Sequence, residues 1–182
     1  MENIHIRQAE SLQLAETAQF PNSAQPVLLY RSVVPADAHS AEAFESLFAR
    51  NGWPPAWRDS IYDYHHYHST AHECLGISRG QVRVQLGGPD GQAVNLAAGD
   101  VVVIPAGVAH RRLRSSADLE VIGAYPPGQS PDLLRGAPNE RPHADNRIAR
   151  LPVPATDPVQ GAGGTLPKQW QTVPMDASDF TT

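Results

Sequence analysis

The sequence has little of several features that define whole classes of proteins. It holds one cysteine, Cys74, in 182 residues, which excludes an internal disulfide framework. Its 19 acidic residues outnumber its 14 basic residues, a balance that argues against a nucleic-acid-binding surface. No apolar run is long enough to span a membrane, and the first residues, MENIHIRQAE, lack the pattern of a secretory signal. We therefore expect a cytoplasmic protein that binds neither nucleic acid nor membrane.

The chain length suggests one domain, within which three regions differ in pattern. In the first, residues 1–58, the run AQPVLLYRSVV predicts a strand. The run DAHSAEAFESLFARNGW predicts a helix that Asp37 or Ser40 caps and Asn51-Gly52 ends. We expect this strand and helix to pack on a β-barrel formed by the region that follows.

Short apolar or alternating runs fill the second region, residues 59–125. The runs QVRVQL and AVNL flank GGPDGQ, which predicts a hairpin, and DVVVIP and LEVIGAY predict two further strands. Because no helical segment separates these strands, we expect an all-β barrel or sandwich. The third region, residues 126–182, holds ten of the 17 prolines, so we expect an extension that wraps the barrel or hangs free.

Half of the eight histidines lie within residues 65–73, a segment that ends at Glu73. On a strand, His66 and His68 would share one face with their backbones roughly 7 Å apart, close enough to converge on one metal ion. Glu73 follows with room for a turn. His110 comes after a predicted strand and a proline-glycine turn, and it is the candidate for a third imidazole. The spacing predicts a metal site formed by these four side chains.

The residues next to these four are expected to face away from the ion. His65 alternates with His66 along the predicted strand and should point to the opposite side. His72 precedes Glu73 and should face outward, with a contact to the ion or to its ligands as the alternative. Cys74 is expected to be a small buried apolar residue.

Two motifs in this chain resemble those of the cupin superfamily. The first is H-x-H-x4-E-x6-G over residues 66–80, and the second is G-x5-P-x-G-x2-H over residues 99–110, with 18 residues between them. The wider chain is similar to a subgroup of small single-domain bacterial cupins, the YjlB-like proteins. Ser60 and Arg114 stand where the family usually has glycine and often has asparagine. Neither position is usually a metal ligand, so the departures affect a turn and the surroundings of the pocket.

The resemblance implies an all-β, single-domain jelly-roll barrel with an N-terminal helix and a proline-rich C-terminal extension. It implies one divalent metal ion held by His66, His68, Glu73 and His110, with iron, manganese, nickel and zinc all left open. It also implies a small-molecule ligand and a homodimer. The run VLLYRSVV could supply an edge strand that pairs across a two-fold axis.

Two further side chains are candidates for catalysis. Tyr64 should share the inward face with the predicted ligands and could hydrogen-bond a substrate or act as an acid; the alternative is an aromatic residue that lines the barrel. Strict alternation after His110 would send Arg112 and Arg114 inward, where one could hold a substrate carboxylate. The alternative is a solvated strand edge or a bulge at this point.

Several functions are compatible with this site. We expect a metal-dependent oxidoreductase, dioxygenase-like, that acts on a small oxygenated molecule, because four protein ligands leave two positions of an octahedral ion open. The alternatives are a non-catalytic cupin that binds a small molecule or a metal, and a metal-dependent isomerase or decarboxylase. The fold does not discriminate among them, because one fold supports many chemistries.

Overall fold

The computed structural model describes residues 8–170. Within this range the strands are β1 (Glu10–Leu14), β2 (Ser23–Tyr30), β3 (Pro55–Asp59), β4 (Glu73–Arg79), β5 (Gln81–Leu86), β6 (Gln92–Ala97), β7 (Val101–Ile104), β8 (His110–Ser115) and β9 (Glu120–Ala124). They form a six-stranded sheet in the order β1-β2-β7-β4-β9-β3 and a three-stranded sheet in the order β6-β5-β8. All pairings are antiparallel, so the predicted all-β architecture and the hairpin of β5 and β6 are confirmed.

An apolar core fills the space between the two sheets, as expected for a jelly roll. Strands β5 and β6 of the smaller sheet contribute alternate residues to it, so Arg83 and Gln85 lie on the outer face. The larger sheet is buried on both faces at its centre. In β7, Val102 packs in the core between the sheets and Val103 packs in a second cluster on the other face. This double burial explains why β7 reads as a continuous apolar run.

Helix α1 (Ala41–Arg50) covers the outer face of the larger sheet. The hydroxyl oxygen of Ser40 accepts the backbone N–H of Ala43 at 3.1 Å, which confirms the predicted helix and one of its two candidate caps. Phe44 of this helix is fully buried. A Cβ atom on Gly76 of β4 would lie 2.5 Å from the Phe44 ring, so glycine allows the helix to approach the sheet closely.

The described part of the proline-rich extension wraps around the sheets. It contains two short helices, α2 (His143–Arg150) and α3 (Thr165–Gln169). Asp157 is fully buried and accepts the hydroxyl of Tyr30 in β2. Trp170 is also buried and donates its indole N–H to the carbonyl of Pro26 at 2.9 Å. The rest of the predicted extension, residues 171–182, lies outside the described residues. None of the helices within the described range is long and apolar enough to cross a membrane.

The strand predicted as a dimer edge lies inside the larger sheet. On one side Leu29 of β2 pairs with Glu10 of β1, and on the other side it pairs with Val102 of β7. The edge assignment was therefore wrong, because the polar run ESLQL forms an additional strand that covers β2. Within the described residues the outer strands of this sheet are β1 and β3. The homodimer itself stays a prediction, as does the division into residues 1–58, 59–125 and 126–182.

Candidate metal centre

Three imidazoles meet where the two sheets and the connecting segments come together. His66, His68 and His110 each offer a ring nitrogen, and these nitrogens all lie within 4.8 Å of one another. All three side chains are buried. This cluster has the number and kind of ligands that hold a divalent ion in proteins.

The turn before β8 places His110 against the other two histidines. Gly107 in this turn has a φ of +96°, and a Cβ atom there would collide with the carbonyl oxygen of Asn22. Its backbone N–H donates to the carbonyl of His68 at 2.8 Å. His66 and His110 exchange both backbone hydrogen bonds, at 3.2 and 2.9 Å. The glycine of the second motif therefore has a geometric role in joining the two histidine-bearing segments.

The segment that carries His66 and His68 is not a regular strand, in contrast to the prediction. Its backbone makes isolated bridges, from His66 to His110 and from Tyr67 to Leu134. The pairing partner changes from one residue to the next, so no ladder forms. The predicted alternation nevertheless holds: Tyr67 is buried in a separate cluster, while His66 and His68 line the same cavity.

Each imidazole is oriented by a backbone carbonyl. The Nδ1 atoms of His66, His68 and His110 contact the carbonyl oxygens of Tyr64, Asp132 and Val108 at 3.0, 2.6 and 3.0 Å. A carbonyl oxygen can only accept, so each Nδ1 carries the hydrogen, and each ring presents the lone pair of Nε2 when it is neutral. Backbone carbonyls fix the rings of metal-binding histidines in this way in other proteins.

Glu73, the first residue of β4, completes the arrangement. Its Oε1 lies 3.1 Å from His110 Nε2 and its Oε2 lies 3.5 Å from His68 Nε2. His68 Nε2 is buried and has no hydrogen-bond partner within residues 8–170. When the rings are neutral, their Nε2 lone pairs face the carboxylate, an arrangement that a cation between them would stabilise. Neighbouring ligands at metal bonds of about 2.1 Å are separated by about 3.0 Å at right angles, so the residues fit a bound ion.

The electrostatics of the cluster also favour a cation. Burial lowers the pKa of His66 to about 3, so this ring is neutral at physiological pH. Burial acts to raise the pKa of Glu73, but His68 and His110 outweigh it and lower that pKa well below its usual range. Burial likewise opposes protonation of His68, but the Glu73 carboxylate prevails and raises the pKa of His68. Glu73 is therefore a buried negative charge that attracts positive charge from its neighbours.

Tyr125 contacts the centre and was missed in the sequence. Its hydroxyl donates to Glu73 Oε2 at 3.0 Å and accepts the indole N–H of Trp57 at 2.8 Å. Burial, followed by the charge of Glu73, raises the pKa of Tyr125, so the hydroxyl keeps its hydrogen. Strand alternation could have identified it, because Val121 of β9 faces the core between the sheets and Tyr125 follows four residues later.

A cavity of about 490 Å³ opens from the centre. The four predicted ligands lie in its wall, together with Tyr125 and Arg112. Arg112 donates its Nε–H to the carbonyl of Ile61 at 3.0 Å. Arg114 lines a different groove, because the register between β5 and β8 shifts at this point: Arg112 pairs with Val84 and Arg114 with Arg83. The bulge considered as an alternative is therefore present, and it separates the two arginines.

Tyr62 rather than Tyr64 lines the cavity. The two rings stack with centroids 4.9 Å apart, and the Arg135 guanidinium lies 3.8 Å from the centroid of the Tyr64 ring. The Tyr62 and Tyr64 centroids lie 5.2 and 5.7 Å from that of His66. Tyr64 therefore packs against Tyr62 rather than lining the cavity itself, and its predicted contact with a substrate stays a prediction.

His65 and His72, which are next to the predicted ligands in the sequence, lie in different surroundings. His65 points away from His66, as expected, and its ring lies 5.8 Å from that of Phe20. His72 was expected to face outward, but it is buried: its Nδ1 accepts the N–H of Ala106 at 2.9 Å, and burial lowers its pKa to about 4. The reason is that the extension covers His72: the centroid of the Trp170 ring lies 4.9 Å from that of the His72 ring.

The extension also forms one side of the cavity. Pro131, Asp132 and Leu133 lie in the cavity wall. The Asp132 carboxylate accepts the N–H of Ser69 at 2.6 Å and also its hydroxyl, while the Asp132 carbonyl accepts the Nδ1–H of His68. The same segment that closes the cavity therefore orients one of the three histidines.

Comparison with known proteins identifies sequence relatives of this chain. The profile of the Cupin domain family matches residues 59–122. The uncharacterized protein YjlB of Bacillus subtilis (strain 168) is 38% identical over 165 residues, which cover 90% of this chain and 98% of that protein.

Several solved structures also match. A DUF861 family protein of Thermotoga maritima is 23% identical, with a TM-score of 0.31, over 45% of this chain and 86% of that chain. RmlC of Streptococcus suis, in complex with dTDP-D-xylose, is 12% identical, with a TM-score of 0.36, over 94% and 97%. A serine-to-alanine mutant of Bacillus subtilis oxalate decarboxylase is 16% identical, with a TM-score of 0.34, over 78% of this chain and 32% of that chain. The sequence matches assign the family: the chain belongs to the cupin superfamily, as a relative of YjlB.

Proposed function

We propose that this protein is a divalent-metal-dependent oxidoreductase, dioxygenase-like, that acts on a small oxygenated molecule. The ligands would be His66, His68, His110 and Glu73. The observation that carries the proposal is the convergence of three imidazoles, with their Nδ1 atoms held by carbonyls, on a buried carboxylate in a cavity wall. Which of iron, manganese, nickel or zinc the site takes is left to measurement.

A bound ion would supply Lewis acidity and, if it were iron or manganese, electron transfer with dioxygen. Three neutral imidazoles and the single negative charge of Glu73 would leave a bound divalent ion with a net positive charge, which would attract an oxygen ligand. Tyr125 holds Oε2 of Glu73, which leaves Oε1 beside His110 as the oxygen best placed to bind. His66, His68, His110 and Glu73 would hold the ion, and the cavity beside them would let an oxygen group of a substrate reach it.

The cavity wall favours a small molecule without several negative charges. Its volume of about 490 Å³ suits a compact ligand. Asp59, Asp63 and Asp132 line the cavity together with Glu73, and Arg112 is the single arginine among the described residues that line it. A hydroxyl, carbonyl or single carboxylate group fits this balance better than a polyanion. We assign Arg112 and Tyr62 to substrate contact, with Tyr64 positioning Tyr62 from behind.

Metal analysis of protein purified without added metal is the first test. We expect about one divalent ion per chain in the wild type and loss of that ion in His68→Ala. The matched control is His65→Ala, which removes a neighbouring imidazole that points away from the cluster and should retain the ion. Full metal occupancy in His68→Ala would contradict the ligand assignment.

Oxygen consumption is the second test, with catechols, diketones, thiols and small carboxylic acids as candidate substrates. We expect one class to consume dioxygen with the metal-loaded wild type and not with His68→Ala. If the loaded protein binds such molecules, as seen by a shift in melting temperature, but turns none over, the non-catalytic binding function replaces the oxidoreductase. Turnover without dioxygen consumption would instead indicate an isomerase or decarboxylase.

A further inference from the structure

A second groove, of about 600 Å³, crosses strands β5, β6 and β8 of the smaller sheet. Three arginines lie in its wall, Arg31, Arg83 and Arg114, and Asp100 is the one acidic side chain among the described residues that line it. The groove shares no lining residue with the cavity of the metal centre. It therefore has its own chemistry, with a basic surface on a chain whose net charge is −5.

Two of these arginines face each other across a strand pair. Arg83 of β5 and Arg114 of β8 are direct partners in the register. Like charges at directly opposed positions destabilise an antiparallel pair. Arg83 donates to the side-chain oxygen of Asn95 at 3.0 Å, which is a neutral acceptor. Arg114 is exposed, and its guanidinium makes no hydrogen bond or ion pair with the other residues between 8 and 170. No described acidic side chain is thus paired with either guanidinium.

The third arginine, Arg31, brings no acidic partner to Arg83 or Arg114. Arg31 donates to the backbone carbonyl of Asn95 at 2.5 Å and to Asp100 at 3.2 Å. Asp100 also accepts the backbone N–H groups of Ser32 and Ala97, at 3.0 and 2.9 Å, so its charge is already satisfied. The carboxylate of Glu10 lies 3.4 Å from Arg31. Arg31 thus contacts the backbone of Asn95 and Arg83 its side chain, and the excess positive charge remains at Arg83 and Arg114.

We propose that this groove binds a small anionic molecule through a phosphate or carboxylate group held between Arg83 and Arg114. A planar guanidinium matches either group with paired hydrogen bonds, and a bound anion converts the repulsion between the two arginines into two attractions. Ser115, Ser116 and Gln81 add hydroxyl and amide groups to the same wall. This site is independent of the proposed oxidoreductase function, because neither its residues nor its charge contribute to the metal centre.

The test is the melting temperature of the protein in phosphate, in succinate and in chloride at equal ionic strength. We expect phosphate or succinate to raise the melting temperature of the wild type by several degrees above the chloride value. The rise should be absent in Arg114→Gln and in Arg83→Gln. The response to phosphate and that to succinate together identify which group the site prefers. A matched control is Arg79→Gln, which removes the same charge outside the groove and should keep the full response.

The repulsion between Arg83 and Arg114 leads to a second expectation, which concerns the melting temperature without a bound anion. In chloride alone, Arg114→Gln should melt at or above the temperature of the wild type, because the substitution removes a like-charge contact. A lower melting temperature of this variant in chloride would show that the arginine pair is not strained. An equal anion response in all variants, or no response of the wild type to either anion, would overturn the proposed site.

Discussion

Replacing Tyr125 by phenylalanine tests how strongly the surroundings of Glu73 control metal binding. The substitution removes the hydroxyl that donates to Glu73 Oε2 at 3.0 Å and leaves the ring in place. A hydrogen bond to a charged group contributes about 1.5–3 kcal/mol. This hydrogen bond forms both with and without metal, so only part of its energy contributes to metal affinity. For the size of the effect we therefore use the loss of metal affinity that is typical when a group that orients a metal ligand is removed. We expect metal affinity about 10- to 100-fold weaker than that of the wild type.

The measurement is competition for the metal between the protein and a chelating dye. Trp57→Phe is the first control: it removes a donor to Tyr125 at 2.8 Å and no contact to Glu73, so its loss of affinity should be smaller. Tyr67→Phe is the second: its hydroxyl donates to Glu140 at 2.9 Å, away from the metal ligands, so its affinity should equal that of the wild type. If folded Tyr125→Phe binds metal within about twofold of the wild type, the reasoning about orientation is wrong.

Three further outcomes are expected. Gly107→Ala should lower the free energy of unfolding by about 1–3 kcal/mol through its positive φ alone, with an added loss from the collision with the Asn22 carbonyl. Urea denaturation should show a smaller loss for Gly128→Ala, which has a φ of +76° and open space around it. Arg112→Gln should retain the metal, by chelator competition, and lose the melting-temperature shift caused by any small molecule that binds the wild type. Metal at 100 times its dissociation constant should add about 2.7 kcal/mol to the free energy of unfolding, and His68→Ala should abolish this increase.

The elements that depend on local signals were predictable from the sequence. The helix over residues 41–50 follows from its apolar spacing and the Ser40 cap. The hairpin of β5 and β6 follows from its glycine- and proline-containing turn. The three histidines of the cluster were identified because two short motifs bring them together through fixed turns. For the helix, the hairpin and each single motif, the residues that determine the structure lie within about 15 positions of one another.

The features that depend on distant partners were not predictable. The histidine-bearing segment forms no strand because its backbone partners, Leu134 and His110, lie far along the chain. His72 is buried because Trp170 covers it, nearly 100 residues later. The sequence pointed to Tyr64, but alternation also places Tyr62 on the same face and does not show which ring reaches the cavity. The sequence pattern predicts the side that a residue faces, and tertiary contacts decide what it meets there.

The anomalous diffraction of a crystal grown with a divalent metal tests the central claim most directly. Our account predicts one strong peak bound by the Nε2 atoms of His66, His68 and His110, at bond lengths of about 2.0–2.1 Å, with an oxygen of Glu73 as the fourth protein ligand. A metal bound elsewhere, or no peak at this cluster with the metal in excess, would contradict it.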